Sequence, residues 1–317
     1  MTDPSIDLIN IEKRYGSQVA VRGVDLQLNA GESVALVGHN GAGKTTLMKL
    51  MLGLIRPSAG TVRVLGEDPV ASAAVRSRNG VGFLPETIAF NASMTGVEVI
   101  TFFARLKGVP KAEGHDLLAR VGLSDAAGQR VGTYSKGMRQ RLGLAQALLG
   151  SPRVLLLDEP TTGLDPQLRQ SFYAIISDLR DAGTTVLLSS HALTELEEQT
   201  DRVAIMDQGR LIALGTVSKL RSLARLPVRM RISVADDAEE LVRRLNGTIL
   251  ETRVVNGQDR GGHTTGGFTV ELACDDDAKM EVVRRAISFG PSVRDIEIVP
   301  PTLDELYARF LDGGRTR

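Results

Sequence analysis

Short apolar runs alternate with helical patterns over the first two-thirds of the chain. Val34 to Val37, Val154 to Leu157, Thr185 to Leu188 and Val203 to Met206 are almost wholly apolar and of strand length. That pattern belongs to strands covered on both faces, so a mostly parallel sheet with helices packed on it is expected. Between Thr95 and Leu149 the period becomes helical, broken by Gly108-Val109-Pro110 and Gly122 to Gly128. This predicts a helical insert at about residues 95–150 of an α/β core. From Val228 the order changes to strand (Val228–Val234), helix (Ala238–Leu245) and strand (Thr248–Val254). After a Gly-rich loop, Asn256 to Gly267, come strand (Phe268–Ala273), helix (Ala278–Phe289) and strand (Val293–Val299). The β-α-β-β-α-β order predicts a small ferredoxin-like α+β domain. A last helix, Leu303 to Leu311, follows Pro300-Pro301 with Thr302 as its N-cap. The expected boundary near Leu223 to Pro227 divides residues 1–222 from 223–317.

Composition narrows the classes. The chain has 317 residues, 38 basic and 38 acidic, with 42% hydrophobic and 24% charged positions. A neutral, ordinary globular balance excludes disorder and argues against a nucleic-acid partner, which needs a basic field. The single cysteine, Cys274, allows no intrachain disulfide and fits a reducing compartment. Residues 1–15 carry Asp3, Asp7, Glu12, Lys13 and Arg14 without an apolar stretch, unlike a secretory leader. No apolar run approaches the ~18 residues of a spanning helix, so any crossing of a membrane falls to another chain.

The chemistry sits in a few ordered motifs. Gly38-His39-Asn40-Gly41-Ala42-Gly43-Lys44-Thr45 follows a buried strand and opens a helix, Thr46 onward, with Leu47, Leu50, Met51 and Leu54 on one face. Glycines let the backbone wrap phosphates with N–H groups pointing inward, and the helix N-terminus adds positive potential. Lys44 is expected on the β- and γ-phosphates and the Thr45 hydroxyl on Mg²⁺. Val154-Leu155-Leu156-Leu157-Asp158-Glu159 is a buried strand ending in two carboxylates. Asp158 is expected near the Mg²⁺ through water, and Glu159 is placed to activate the attacking water. Thr133-Tyr134-Ser135-Lys136-Gly137-Met138 opens a helix with Ser135 as N-cap, and Gly137 leaves room for a phosphate. Thr162-Gly163-Leu164-Asp165 and His191 complete the series.

With these motifs in this order, Ile6 to about Leu214 resembles the ATP-binding cassette (ABC) ATPases. The resemblance implies a P-loop fold with a helical subdomain, ATP and Mg²⁺ at the site, and two copies of the chain enclosing two ATPs. It implies that Tyr15 stacks on adenine with Ala20 beneath it, that His39 to Thr46 surround the phosphates, and that His191 contacts the γ-phosphate. Ser135, Lys136, Gly137 and Met138 would reach the ATP of the other copy, and Asp165 would couple the two sites. Two departures stand out: Tyr134-Ser135-Lys136-Gly137-Met138 replaces the family's Leu-Ser-Gly-Gly-Gln, and Glu86 stands where most members carry glutamine. A carboxylate at position 86 still offers oxygen to Mg²⁺ but loses the amide donor.

The resemblance further implies a transport ATPase at the inner face of the membrane, bound to an integral permease. Thr133 to Gly150, Gly82 to Glu86 and the tail Asp295 to Tyr307 are similar to ATPase subunits of the copper-linked complexes that mature nitrous-oxide reductase. That would bring a periplasmic copper-handling partner. ATPases of multidrug or antibiotic exporters carry similar tails and form the alternative, with a nucleic-acid- or ribosome-linked ATPase more distant. No copper ligand set is evident: Cys274 is solitary, and His39, His115, His191 and His263 are scattered. Met48 and Met51 fit core packing, and the second domain is expected to support dimerisation.

Overall fold

A computed structural model describes residues 3–190, 193–256 and 267–314. The chain divides into two compact units, residues 1–216 and 217–317. The first unit carries β1 (Ile6–Tyr15), β2 (Gln18–Leu28), β3 (Ser33–Val37), β4 (Ala59–Val64), β5 (Val81–Leu84), β6 (Val154–Leu157), β7 (Thr185–Ser190), β8 (Arg202–Asp207) and β9 (Arg210–Gly215). The second carries β10 (Val228–Val234), β11 (Glu251–Asn256), β12 (Phe268–Cys274) and β13 (Val293–Val299).

The core of the first unit is a six-stranded sheet in the order β5-β6-β7-β3-β8-β9, with only β9 antiparallel to its neighbour. Strands β3, β6 and β7 are buried along their whole length, which is why apolar runs, Val34–Val37, Val154–Leu157 and Val186–Leu188, form their centres. A second sheet, β2-β1-β4, is antiparallel, and the expectation of a single, mostly parallel sheet missed it. Its strands bury one face and expose the other, as with Ile6 and Leu8 buried while Ile9 is 51% exposed. Met48 and Met51 are fully buried in the cluster joining both sheets, so they are core side chains.

The helical insert holds helices Gly96–Lys107, Lys111–Arg120 and Lys136–Leu148. The first begins in a capping box: the Glu98 N–H donates to Thr95 Oγ1 at 3.2 Å, and the Thr95 N–H donates to the Glu98 carboxylate at 2.7 Å. Lys107 Nζ donates to the carbonyls of Asn79, Val81 and Leu149 at 3.3, 3.2 and 3.0 Å, tying the end of that helix to β5 and to the end of Lys136–Leu148. Desolvation lowers the Lys107 pKa, against a smaller upward pull from Glu113.

The two units part at Thr216, six residues before the sequence-based boundary. Helix Val217–Ala224 goes with the second unit because it packs on the last helix, Leu303–Gly314. Arg221 Nε donates to the Pro301 carbonyl at 2.9 Å, and Arg309 Nε to that of Ala224 at 3.3 Å. The sheet of this unit has the order β11-β12-β10-β13, antiparallel throughout. Helices Ala238–Leu245 and Lys279–Ser288 cover one face over Met230, Ile232, Val270 and Leu272. Strand β11 begins at Glu251 rather than Thr248, because Thr248 closes the turn after the helix by donating its Oγ1 to the Leu245 carbonyl. His191, His263 and all but the ends of the Gly-rich loop Asn256–Gly267 lie outside the described residues.

Candidate functional site

Strand β3 ends at Val37, and the chain turns through Gly38 to Gly43 into helix Lys44–Met51. Gly43 caps that helix at φ 106°, and a Cβ there would lie 2.7 Å from the Ala20 carbonyl oxygen. Only glycine fits both the backbone angle and the space. The helix has no side-chain cap, so its first-turn N–H groups remain available to an anion.

Lys44 is 7% exposed; its Nζ donates to the Gly38 carbonyl at 2.5 Å and lies 3.9 Å from Glu159 Oε1. Thr45 Oγ1 donates to Asp158 Oδ2 at 3.0 Å. Both carboxylates follow β6, and both are nearly buried, Asp158 at 3% and Glu159 at 8% exposure. Ser189 locks them in place: its Oγ donates to Asp158 Oδ1 at 2.6 Å and accepts the Glu159 N–H at 2.9 Å. Glu159 itself sits at φ 49°, a left-handed conformation that a non-glycine residue adopts at a cost.

Gly38, Gly43, Lys44, Thr45, Asp158 and Glu159 line one cleft of ≈ 860 Å³, together with Tyr15, Ala20, His39, Asn40, Gly41, Ala42, Thr46 and Glu86. Tyr15 is 47% exposed, with the Lys13 ammonium 5.1 Å from its ring centroid. His39 Nε2 pairs with Asp207 Oδ1 at 2.8 Å. The cleft therefore offers a lysine and loop N–H groups to phosphates, and oxygen donors from Thr45, Asp158 and Glu86. Such an all-oxygen set suits Mg²⁺. Glu159 supplies a carboxylate for a water.

Four lining residues were not foreseen: Gln18, Val19, Arg22 and Gln208. The Ser189 role was also missed, although it has a signal in the sequence. Ser189 and Ser190 are polar at the end of an apolar strand, and parallel pairing of Leu157 with Leu188 brings Ser189 beside Asp158.

Ser135, Lys136, Gly137, Met138 and Asp165 are not among the residues lining the cleft of their own chain. Ser135 caps its helix by accepting the Met138 N–H at 3.2 Å, and Asp165 caps helix Pro166–Asp181 by accepting that of Leu168 at 2.9 Å. Buried Gln140 joins the two stretches, donating Nε2 to the Pro160 carbonyl at 2.8 Å. His191 lies outside the described residues, two positions beyond Ser189.

Residues 21–162 match the family model described as "ABC transporter". Over 323 aligned residues the chain is 36% identical to a daunorubicin resistance ATP-binding protein of Streptomyces coeruleorubidus, covering 99% of this chain and 98% of that one. It is 42% identical over 214 residues to a Nod factor export ATP-binding protein I of Burkholderia lata, covering 66% and 70% respectively. The solved structure of an ATP-binding subunit of an ABC transporter superposes with a TM-score of 0.64 at 29% identity, over 69% of this chain and 92% of that one. With the P-loop, the paired carboxylates and a relative similar along its whole length, the chain belongs to the ABC transporter ATP-binding proteins, the ATP-hydrolysing components of these transporters.

Proposed function

We propose that the chain powers export of a small organic molecule by binding an integral permease at the inner face of the membrane. The observation that carries this reading is the 36% identity running through both units of a daunorubicin resistance ATP-binding protein. The similarity to a Nod factor export protein points the same way. Among the described residues no helix is long and apolar enough to cross a membrane, so the pathway itself belongs to a partner chain.

At the site, Lys44 exchanges the Gly38 carbonyl for the β- and γ-phosphates, and the loop from His39 to Thr46 surrounds them. Tyr15 stacks on adenine over Ala20. Thr45, Asp158 and Glu86 hold Mg²⁺, which neutralises phosphate charge when bound. The Glu159 carboxylate takes the proton of the water that attacks the γ-phosphorus, and His191 steadies that water. Ser135, Lys136, Gly137 and Met138 contact the ATP of a second copy, with Asp165 coupling the two sites. The β-α-β-β-α-β order and the β11-β12-β10-β13 sheet support a ferredoxin-like second unit, to which we assign dimerisation.

The copper-linked reading rests on short sequence stretches alone, whereas both relatives named above are proteins of resistance or export. Among the described residues no three His, Cys, Asp or Glu side chains are grouped to hold a metal. Cys274 is buried, its Sγ 3.9 Å from Met230 Sδ. Deleting the gene separates the two. Export predicts raised accumulation of lipophilic antibiotics such as daunorubicin with nitrous-oxide reductase fully loaded; a copper-poor reductase with normal drug accumulation would reverse the choice.

A further inference from the structure

Among the described residues, helices Ala238–Leu245 and Lys279–Ser288 both pack on one face of the second unit's sheet, and the opposite face, which the last helix reaches at Arg229, carries an ordered charge pattern. Strand register aligns Arg253 of β11, Glu271 of β12, Arg231 of β10 and Glu297 of β13 in one row across the sheet. Their neighbours in sequence, Met230, Ile232, Val270 and Leu272, point the other way into the core, as strand alternation requires. Arg231 Nε is 3.2 Å from Glu271 and its Nη1 is 3.6 Å from Glu297, with the three side chains 55%, 41% and 41% exposed. The row reads plus, minus, plus, minus, and its net charge is zero. A polyanion or an anionic membrane would meet a carboxylate at every second position.

The rows on either side let another surface come close. One is Val255, Thr269, Ser233 and Asp295; the other is Glu251, Ala273, Arg229 and Val299. Small or apolar side chains fill most of the central positions, and Arg229 is already paired with Glu305 of the last helix.

An alternating row of four is self-complementary in one orientation only. A twofold axis parallel to the strands, passing between β12 and β10, sets β11 against β13 of the second copy and β12 against β10. Arg253 then faces Glu297 of the partner subunit, and Glu271 faces Arg231 of the partner subunit, four attractive contacts in all. An axis running across the strands sets each residue against itself and gives four like-charge contacts. Isologous pairing by such an axis is the common geometry of homodimers, and complementary potentials fix its register. We propose that this open face docks on the same face of a second copy about an axis parallel to the strands. The inference rests on the reading that the second unit dimerises, and adds which surface does so and in which orientation.

The test uses full-length Arg253→Glu and Glu297→Arg chains, with sedimentation equilibrium in the absence of nucleotide. Each variant alone sets like charges opposite each other and is expected to raise the dimer Kd at least about tenfold. Mixed in equal amounts they form a heterodimer in which the two substituted side chains face each other with opposite charges. The native pair is kept at the symmetry-related contact, so dimerisation returns to near the wild-type level. Misfolded chains would not rescue one another, and matching thermal midpoints check this separately. Wild-type dimerisation with unaffected variants, or with no recovery on mixing, overturns the proposed face while leaving dimerisation by the second unit standing. A wild-type chain that stays monomeric at every concentration removes that broader reading, and the proposed face with it.

Discussion

Asp158 and Glu159 are adjacent in sequence and are held by one hydroxyl. Ser189 fixes the Asp158 carboxylate that also receives the Thr45 hydroxyl, and accepts the Glu159 backbone N–H. Replacing Ser189 by alanine leaves that buried N–H without an acceptor, at about 1–3 kcal/mol. Ser189→Ala is therefore expected to lower the thermal midpoint and slow ATP hydrolysis while nucleotide affinity changes little. Unchanged turnover would show that the carboxylates hold their places without it. Glu159→Gln keeps the shape and the strained φ of 49° but removes the carboxylate we propose as proton acceptor. Loss of a general base costs about 10²–10⁴-fold, so hydrolysis should fall by that order with ATP binding intact, as equilibrium binding and phosphate release will report. The cleft residues to which we assign chemistry were legible because lysine, threonine and paired carboxylates stand at fixed offsets from glycines and an apolar strand. Ser189 was not, because its role arises only when β6 and β7 lie side by side.

Strands buried on both faces show in the sequence as apolar runs, and Val154–Leu157 has the bounds its run predicts; Val228–Val234 and Val293–Val299, each with exposed charged positions, also have the predicted bounds. The antiparallel sheet β2-β1-β4 is harder to see. Its signal is the alternation of Val24, Leu26 and Leu28 with Asp25 and Gln27, weaker than a run because half of each strand faces water. Contacts between elements are invisible in sequence, and Gly82 shows what they demand. A Cβ on this β5 residue would come 2.1 Å from the Ala147 carbonyl oxygen in helix Lys136–Leu148. Gly82→Ala must push that helix away, an overpacking cost of ~1–3 kcal/mol. The expected result is a lower denaturation midpoint with an unchanged m-value. At the entrance to the insert, Thr95→Ala removes a capping box on an exposed turn. It should cost about 0.5–2 kcal/mol and leave nucleotide affinity unaltered, a contrast that calorimetry and binding measured on the same sample will resolve.

At the scale of the whole chain, the two units have separate hydrophobic cores. One cluster runs from Ile6 to Met206 and the other from Val228 to Ala286. Among the described residues, all that line the cleft lie between Tyr15 and Gln208. A chain ending at Thr216 therefore keeps its full core and its full cleft, whereas one ending at Ser222 would carry most of helix Val217–Ala224 without the carbonyl of Pro301 that Arg221 uses. The shorter form is expected to fold and to bind ATP with the affinity of the intact protein. What it should lose follows from assigning dimerisation to the second unit. A contact that persists between hydrolysis cycles holds two cassettes at a high effective concentration, so its removal should weaken association without nucleotide and make hydrolysis depend more steeply on protein concentration. Sedimentation of both forms with and without ATP, alongside turnover measured over a dilution series, reads each effect separately. Equal nucleotide-free association of the two forms would mean that the second unit serves a contact other than the dimer.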